Sequence, residues 1–137
     1  MAHFEPATVL DYGDGEDPKQ IVLDAILPLI EGLDLYRNEV LVVTAPNKTK
    51  TKSGLYYPEA YKKEQRFQGK VGLVVAMGEI AFNDDKLWPN EETRPKIGSW
   101  VFFRPADTNE CAIGGYSCRF VDDDKIRGRC QSIDSIR

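Results

Sequence analysis

A short apolar run inside a lysine-rich segment is the most informative feature of this sequence, and the chemistry that it favours is protein binding. Leu55, Tyr56 and Tyr57 lie between Gly54 and Pro58, two residues that keep the chain out of a helix. The flanking lysines keep the segment soluble and repel one another. Because a contiguous exposed apolar patch on a surface loop usually marks a partner site, we predict that residues 54–58 bind another protein. The alternative is a set of strand residues buried in a hairpin.

A second candidate site lies between two predicted strands. Phe82, Leu87 and Trp88 stand on either side of a turn signal, residues 83–85. We therefore predict that residues 78–97 form a hairpin that projects from the domain, with these side chains in the roof or interface of an assembly. Ordinary packing under the hairpin is the alternative.

Catalytic and metal sites are disfavoured. His3 is the only histidine, which removes the usual general base and most metal-ligand sets. Cys111, Cys118 and Cys130 are odd in number and widely spaced, so they fit neither a disulfide framework nor a zinc site. Residues 122–124 are three aspartates without the glycine and ligand spacing of a calcium loop, and indicate a charged turn. We predict no enzyme, no metal and no cofactor.

Composition limits the partners further. The chain has 137 residues, 42% of them hydrophobic, which is enough for one domain with a modest core. A net charge of -4 gives no general attraction to nucleic acid or to anionic membrane, so the lysines of the loop indicate a solvated face. The longest apolar run, residues 21–30, is too short to span a membrane and contains Asp24 and Pro28. These features predict a cytoplasmic protein with no signal peptide.

The elements that must position the two loops are mainly strands. Residues 1–18 indicate an N-terminal extension, and the run after Asp17 fits a short helix or, alternatively, an extended strand. Beyond Asn38, runs rich in valine and aromatic residues alternate with turn residues and predict strands at residues 40–44, 71–77, 99–103, 116–121 and 125–130. We predict an all-β domain over residues 19–137, a small, partly open barrel with two long excursions, residues 45–68 and 78–97.

The order of these motifs resembles the GroES-like co-chaperonin (chaperonin 10) family over most of the chain, from residue 28 to residue 136. NEVLVV at residues 38–43 is similar to the family's first strand, and residues 53–59 to its Gly-Gly-aliphatic-Pro-acid loop motif. GKVGLVVAMG at residues 69–78 is similar to the G-x-V-VAVG strand, KIGSWVFF at 96–103 to K-x-G-D-x-V-x-F, and SIDSI at 132–136 to the family's terminal segment. The ordered set carries the resemblance, because no single motif is decisive.

The resemblance implies a GroES-like fold and a co-chaperonin function. Such proteins form a homo-oligomer, a heptameric dome, that caps a chaperonin 60 ring and assists ATP-dependent protein folding. Each subunit inserts its mobile loop, here residues 45–68, into the ring, and the binding tripeptide falls on residues 55–57. ATP would be bound by the ring, since the chain has no GxxxxGK[ST] loop. A loop that becomes ordered on docking binds weakly alone, and several copies in a ring gain avidity.

The chain also departs from the family pattern. Ser53 replaces the first glycine of the loop motif, and tyrosines stand at the second and third positions of a usually aliphatic tripeptide. The N-terminal extension, the long loops and the inserted residues 105–115 are more similar to divergent members carried by bacteriophages. A second function therefore stays open: a structural virion protein, either a capsid decoration or an accessory subunit, with a fixed loop and virion proteins as partners. The protein would then be found in the virion rather than in the host cytoplasm.

Overall fold

The computed structural model describes residues 7–50 and 70–133. The strands are β1 (Asp11–Gly13), β2 (Glu39–Thr44), β3 (Asn47–Lys50), β4 (Val71–Met77), β5 (Trp100–Phe102), β6 (Thr108–Ile113), β7 (Tyr116–Asp122) and β8 (Gly128–Cys130). Within these two ranges there is one α-helix, α1 (Pro18–Ile26), and short 3-10 helices lie at Leu27–Leu29, Glu91–Thr93, Pro105–Asp107 and Asp123–Lys125. Six strands form an antiparallel sheet in the order β6-β7-β2-β4-β5-β8, and β1 pairs with β3 in a small parallel sheet.

The central strands of the large sheet are buried on both faces. In β2, Leu41 and Val43 face one side, while Val40 and Val42 face the other, as the alternation of a strand requires. A strand covered on both faces needs apolar residues at every position, which explains the uninterrupted runs in β2 and β4. The sheet therefore separates two layers of core.

One face of the sheet is covered by α1 and β1, and we call this layer the helix-side core. The Asp17 side chain accepts a hydrogen bond from the Lys19 amide (3.0 Å), and Pro18 occupies the first turn of α1. Val22 and Ile26 are one helical turn apart and fully buried, so each stabilises the fold by about 2 kcal/mol. The helix is confirmed over the strand alternative.

The opposite face is covered by the segment between β4 and β5, and we call this layer the far-side core. Ala81 and Phe82 pack there against Val42, Val74 and Val101. Residues 78–97 contain turns and one 3-10 helix but no strand, which corrects the predicted hairpin. The physical reason is that Phe82, with a positive φ of 60°, turns its ring inward, so the segment packs along the sheet instead of projecting from it.

Several predicted strands are confirmed within two residues, and the all-β class is confirmed with them. Two predictions differ from the structure. Asp123–Lys125 forms a 3-10 helix, so the last strand begins only at Gly128. β6 lies in residues interpreted from the sequence as an insertion. In the part of the chain that the structure describes, β6 and β8 are the two edges of the sheet and do not pair with each other. The sheet is thus open between them.

The described part of the predicted N-terminal extension packs against the domain. The Thr8 amide donates to the Gly115 carbonyl (2.7 Å), and the Ser117 amide donates to the Thr8 carbonyl (2.8 Å). Tyr12 of β1 belongs to the helix-side core. Residues 8–26 are therefore part of the folded domain and run from the β6–β7 hairpin to α1.

Candidate functional site

The predicted binding residues Gly54, Leu55, Tyr56, Tyr57 and Pro58 lie outside the described residues. The two ends of the connection that carries them are described. The Ala45 amide donates to the Val71 carbonyl (3.1 Å), directly beyond the last β2–β4 pair, Thr44 with Gly72. The connection therefore starts and finishes on adjacent antiparallel strands, as a long hairpin loop does.

The N-terminal end of this connection is not a free loop. Asn47–Lys50 forms β3 and pairs with β1, with Asp11 opposite Asn47 and Tyr12 opposite Lys48. The Asn47 amide donates to the Leu10 carbonyl (2.8 Å). This pairing corrects the predicted mobile loop, residues 45–68, at its first residues, because four of them are held as a strand.

An ion pair reinforces the same contact. Lys48 Nζ lies 2.6 Å from Asp14 Oδ1, and the two side chains are only 15% and 20% exposed. Partial burial reduces screening by solvent, so this pair contributes more than a fully exposed ion pair would. Sequence reasoning missed it, although the acidic N-terminal residues and the lysine-rich loop carry opposite charges.

The three predicted roof residues do not share one surface. Phe82 is buried, and its ring meets Trp88 edge to face, with centroids 4.9 Å apart and planes at 84°. Leu87 is 54% exposed and points away from the core. The structure thus brings Phe82 and Trp88 together as packing residues and leaves Leu87 exposed.

A buried carboxylate holds Phe82 in place. Asp123 is only 4% exposed, and its two carboxylate oxygens accept hydrogen bonds from the Phe82 amide (2.8 Å) and from the Asn38 side-chain amide (2.9 Å). Its own amide donates to the Asn38 carbonyl (3.0 Å). Sequence reasoning assigned the three aspartates to a charged turn and missed this role, for which a run of identical acids gives no signal.

Two further contacts fix the segment that carries the roof residues. At its start, the Gly78 amide donates to the Glu39 carbonyl (2.8 Å), and a Cβ on Gly78 would lie 2.8 Å from the Tyr36 carbonyl oxygen. Only glycine fits such an approach, which explains the glycine that ends the VVAMG motif. Further along, Arg94 Nε donates to the Trp88 carbonyl (2.8 Å).

The three cysteine thiols are not activated as nucleophiles. Burial raises the pKa of the Cys118 thiol to about 12, with a smaller contribution from Cys111 across the β6–β7 pair. Burial also raises the pKa values of Cys111 and Cys130. A thiol with a raised pKa is protonated at neutral pH and reacts slowly.

The described residues contain neither a cluster suited to a metal ion nor a helix that could span a membrane. Within residues 7–50 and 70–133, no three residues drawn from His, Cys, Asp and Glu are grouped so that they could hold a metal ion. In the same ranges, no helix is both long enough and apolar enough to cross a membrane.

One carboxylate is in an unfavourable position. Glu39 stands opposite Asp122 in the β2–β7 pair. Burial raises the pKa of Glu39, and the negative charge of Asp122 raises it further. This pair opposes folding when both groups are ionised.

Comparison with known proteins identifies the family. Residues 34–130 match the model of the chaperonin 10 Kd subunit. The matched range covers the large sheet, the long β2–β4 connection and the segment from residue 78 to 97, but leaves out β1 and α1. A search of curated proteins finds no match. Because the family model covers more than half of the chain, this protein belongs to the chaperonin 10 family.

Proposed function

We propose that the protein is a co-chaperonin that caps a chaperonin 60 ring and assists ATP-dependent protein folding. The observation that carries the proposal is the family match over residues 34–130, which includes the whole connection between β2 and β4. Membership of this family supports a co-chaperonin role in general. The finer assignment is that residues 54–58 enter the ring's binding groove, with Leu55, Tyr56 and Tyr57 as the apolar anchors.

The geometry of the loop ends supports this assignment. The Ala45–Val71 hydrogen bond joins the two ends at the large sheet, and the β1–β3 pair holds the N-terminal end in the small sheet. A connection tethered to a rigid sheet at both ends confines its binding residues to one side of the molecule. Copies in a ring would then present their tripeptides in the same direction.

The edges of the large sheet support assembly into a ring, for which we propose a heptamer. Among the described residues, β6 and β8 carry backbone groups with no strand opposite them on the outer side. Arg129 is exposed on β8. Glu110 is exposed on β6, where it pairs with Arg119 of the adjacent β7 (2.6 Å) and could share its carboxylate with Arg129 of a neighbouring subunit. A contact between unlike edges is head-to-tail and closes into a ring when the rotation allows.

The chemistry we propose is binding rather than catalysis. The ring partner binds and hydrolyses ATP, and this protein supplies anchors and a cap in the cytoplasm. Leu87 is the roof residue suited to contact with a neighbouring subunit, because Phe82 and Trp88 face the far-side core.

The test is capture on a purified chaperonin 60 ring with and without ATP. We expect the native protein to be retained only with nucleotide, and Tyr56→Ser with Tyr57→Ser to lose retention, because two anchors are removed. Tyr36→Ser is the matched control, since Tyr36 is 74% exposed in a different segment and should keep full retention. Circular dichroism of each variant checks that the sheet is intact.

Two other results would contradict this proposal. Unfolding of the double variant would place both tyrosines in a core. Absence of capture by the native protein would overturn the co-chaperonin proposal and favour the virion structural protein.

A further inference from the structure

The part of the chain that precedes the family match is attached to the predicted chaperonin-binding loop. The match begins at residue 34, whereas β1 and α1 lie before it. β1 is the only strand that β3 pairs with in the described residues, and β3 is the first part of the loop connection. A segment outside the family-matched region therefore holds one end of the loop.

Backbone and side-chain contacts both form this attachment. The β1–β3 register joins Asp11 to Asn47, Tyr12 to Lys48 and Gly13 to Lys50. The Asp14–Lys48 ion pair, at 2.6 Å, follows directly after β1. Because an isolated two-stranded sheet is only marginally stable in water, this pair of strands depends on such additional contacts.

β1 is itself fixed at both of its ends. On one side, Thr8 is hydrogen-bonded to the β6–β7 hairpin. On the other, the Glu16 carboxylate accepts from the Gly13 amide (2.9 Å), and Asp17 then caps α1, whose Val22 and Ile26 are in the helix-side core. Tyr12 between them is buried. β1 is thus held by the core, and it in turn holds β3 in place.

We propose that residues 8–26 act as a clamp that positions the N-terminal root of the chaperonin-binding loop, with Asp14 and Lys48 as positioning residues. This inference rests on the proposed function. Holding the root as a strand before docking lowers the conformational entropy lost when the loop binds, and it fixes the direction in which the loop leaves the sheet. The clamp would raise affinity without touching the partner.

The experiment compares Asp14→Asn and Lys48→Gln in the full chain. Backbone hydrogen exchange of residues 47–50 reports on the clamp without any partner, and we expect it to be about three- to tenfold faster in each variant. Affinity for the chaperonin 60 ring with ATP should fall by a similar factor at each site. The charge-swapped protein, Asp14→Lys with Lys48→Asp, should recover both quantities.

Asp107→Asn is the matched control. It removes an aspartate–cation pair, with Arg104 at 3.0 Å, that lies in the Pro105–Asp107 turn and outside the β1–β3 contact. This variant should keep native exchange in residues 47–50 and native capture. A loss as large as that of Asp14→Asn would show that general destabilisation, rather than the clamp, is responsible.

Each remaining outcome is decisive. Unchanged exchange in residues 47–50 of both variants would overturn the clamp itself. Faster exchange with unchanged capture would overturn its positioning role. If the native protein is not captured at all, the proposed function fails, and the positioning role fails with it, whereas the exchange result still reports whether Asp14 and Lys48 stabilise β3.

Discussion

At the scale of single residues, the buried carboxylate of Asp123 connects parts of the chain that are far apart in sequence. It joins the residue before β2, Asn38, to Phe82 in the segment over the far-side core. If the carboxylate were removed, the buried Phe82 amide would lose its partner, and so would the partly buried Asn38 side chain. The Asp123 side chain is therefore one of the contacts that stabilise this segment.

We predict that Asp123→Ala destabilises the protein by about 3 kcal/mol, because two hydrogen bonds are lost and the Phe82 amide is left buried without a partner. Urea unfolding at pH 7 measures the change. Asp124→Ala is the matched control in the same turn: Asp124 is exposed, so its removal should cost less than about 0.5 kcal/mol. Equal losses in the two variants would contradict a specific role for Asp123.

Glu39 gives a pH-dependent prediction. Its pKa is raised in the folded state above the ordinary value of 4.5, first by burial and then by Asp122. The folded state therefore holds the proton more tightly than the unfolded state, so ionised Glu39 lowers stability above its folded pKa, and this penalty disappears as pH falls towards 4.5. The native protein loses more stability from this group at neutral pH than in mild acid.

We predict that Glu39→Gln is more stable than the native protein by about 0.5 kcal/mol at pH 7, and that the difference shrinks on lowering the pH towards 4.5. Urea unfolding at pH 7 and in mild acid tests both parts. Asp122→Asn should give a smaller gain, because Asp122 is the lesser of the two causes. A variant that is less stable at pH 7 would show that Glu39 is stabilising.

At the scale of elements, sequence patterns identify the strands that bury side chains and miss those that pair mainly through the backbone. β2 and β4 were predictable because both faces of each strand are apolar. β6, with the sequence TNECAI at an edge of the sheet, and β3, with NKTK, carry little apolar signal, because most of their residues are polar. Their pairing follows from contacts that are distant in sequence.

The segment from residue 78 to 97 shows the same limit for loops. Apolar pairs on either side of the turn residues 83–85 favour a hairpin, but the local pattern contains nothing about Asp123, whose carboxylate accepts a hydrogen bond from the Phe82 amide. Likewise, the binding residues 54–58 were proposed from composition and resemblance, whereas the strand that holds their loop, β1, could not be assigned from three residues of mixed character. In both cases the local conformation depends on contacts with residues that are distant in sequence.

At the scale of the whole molecule, the proposed ring predicts an effect of charge at the sheet edges. Arg129 is exposed on β8, and Glu110 is exposed on β6 at the opposite edge of the sheet. In a head-to-tail contact these edges meet, so Arg129→Glu would bring like charges together and weaken each contact by about tenfold or more. Native mass measured over a dilution series should show dissociation at a correspondingly higher protein concentration.

The matched control is Lys86→Glu, which makes the same change of charge on the exposed face of the segment over the far-side core. This variant should dissociate at the same protein concentration as the native protein. A monomer from Lys86→Glu with an intact oligomer from Arg129→Glu would move the subunit contact from the edges to that face.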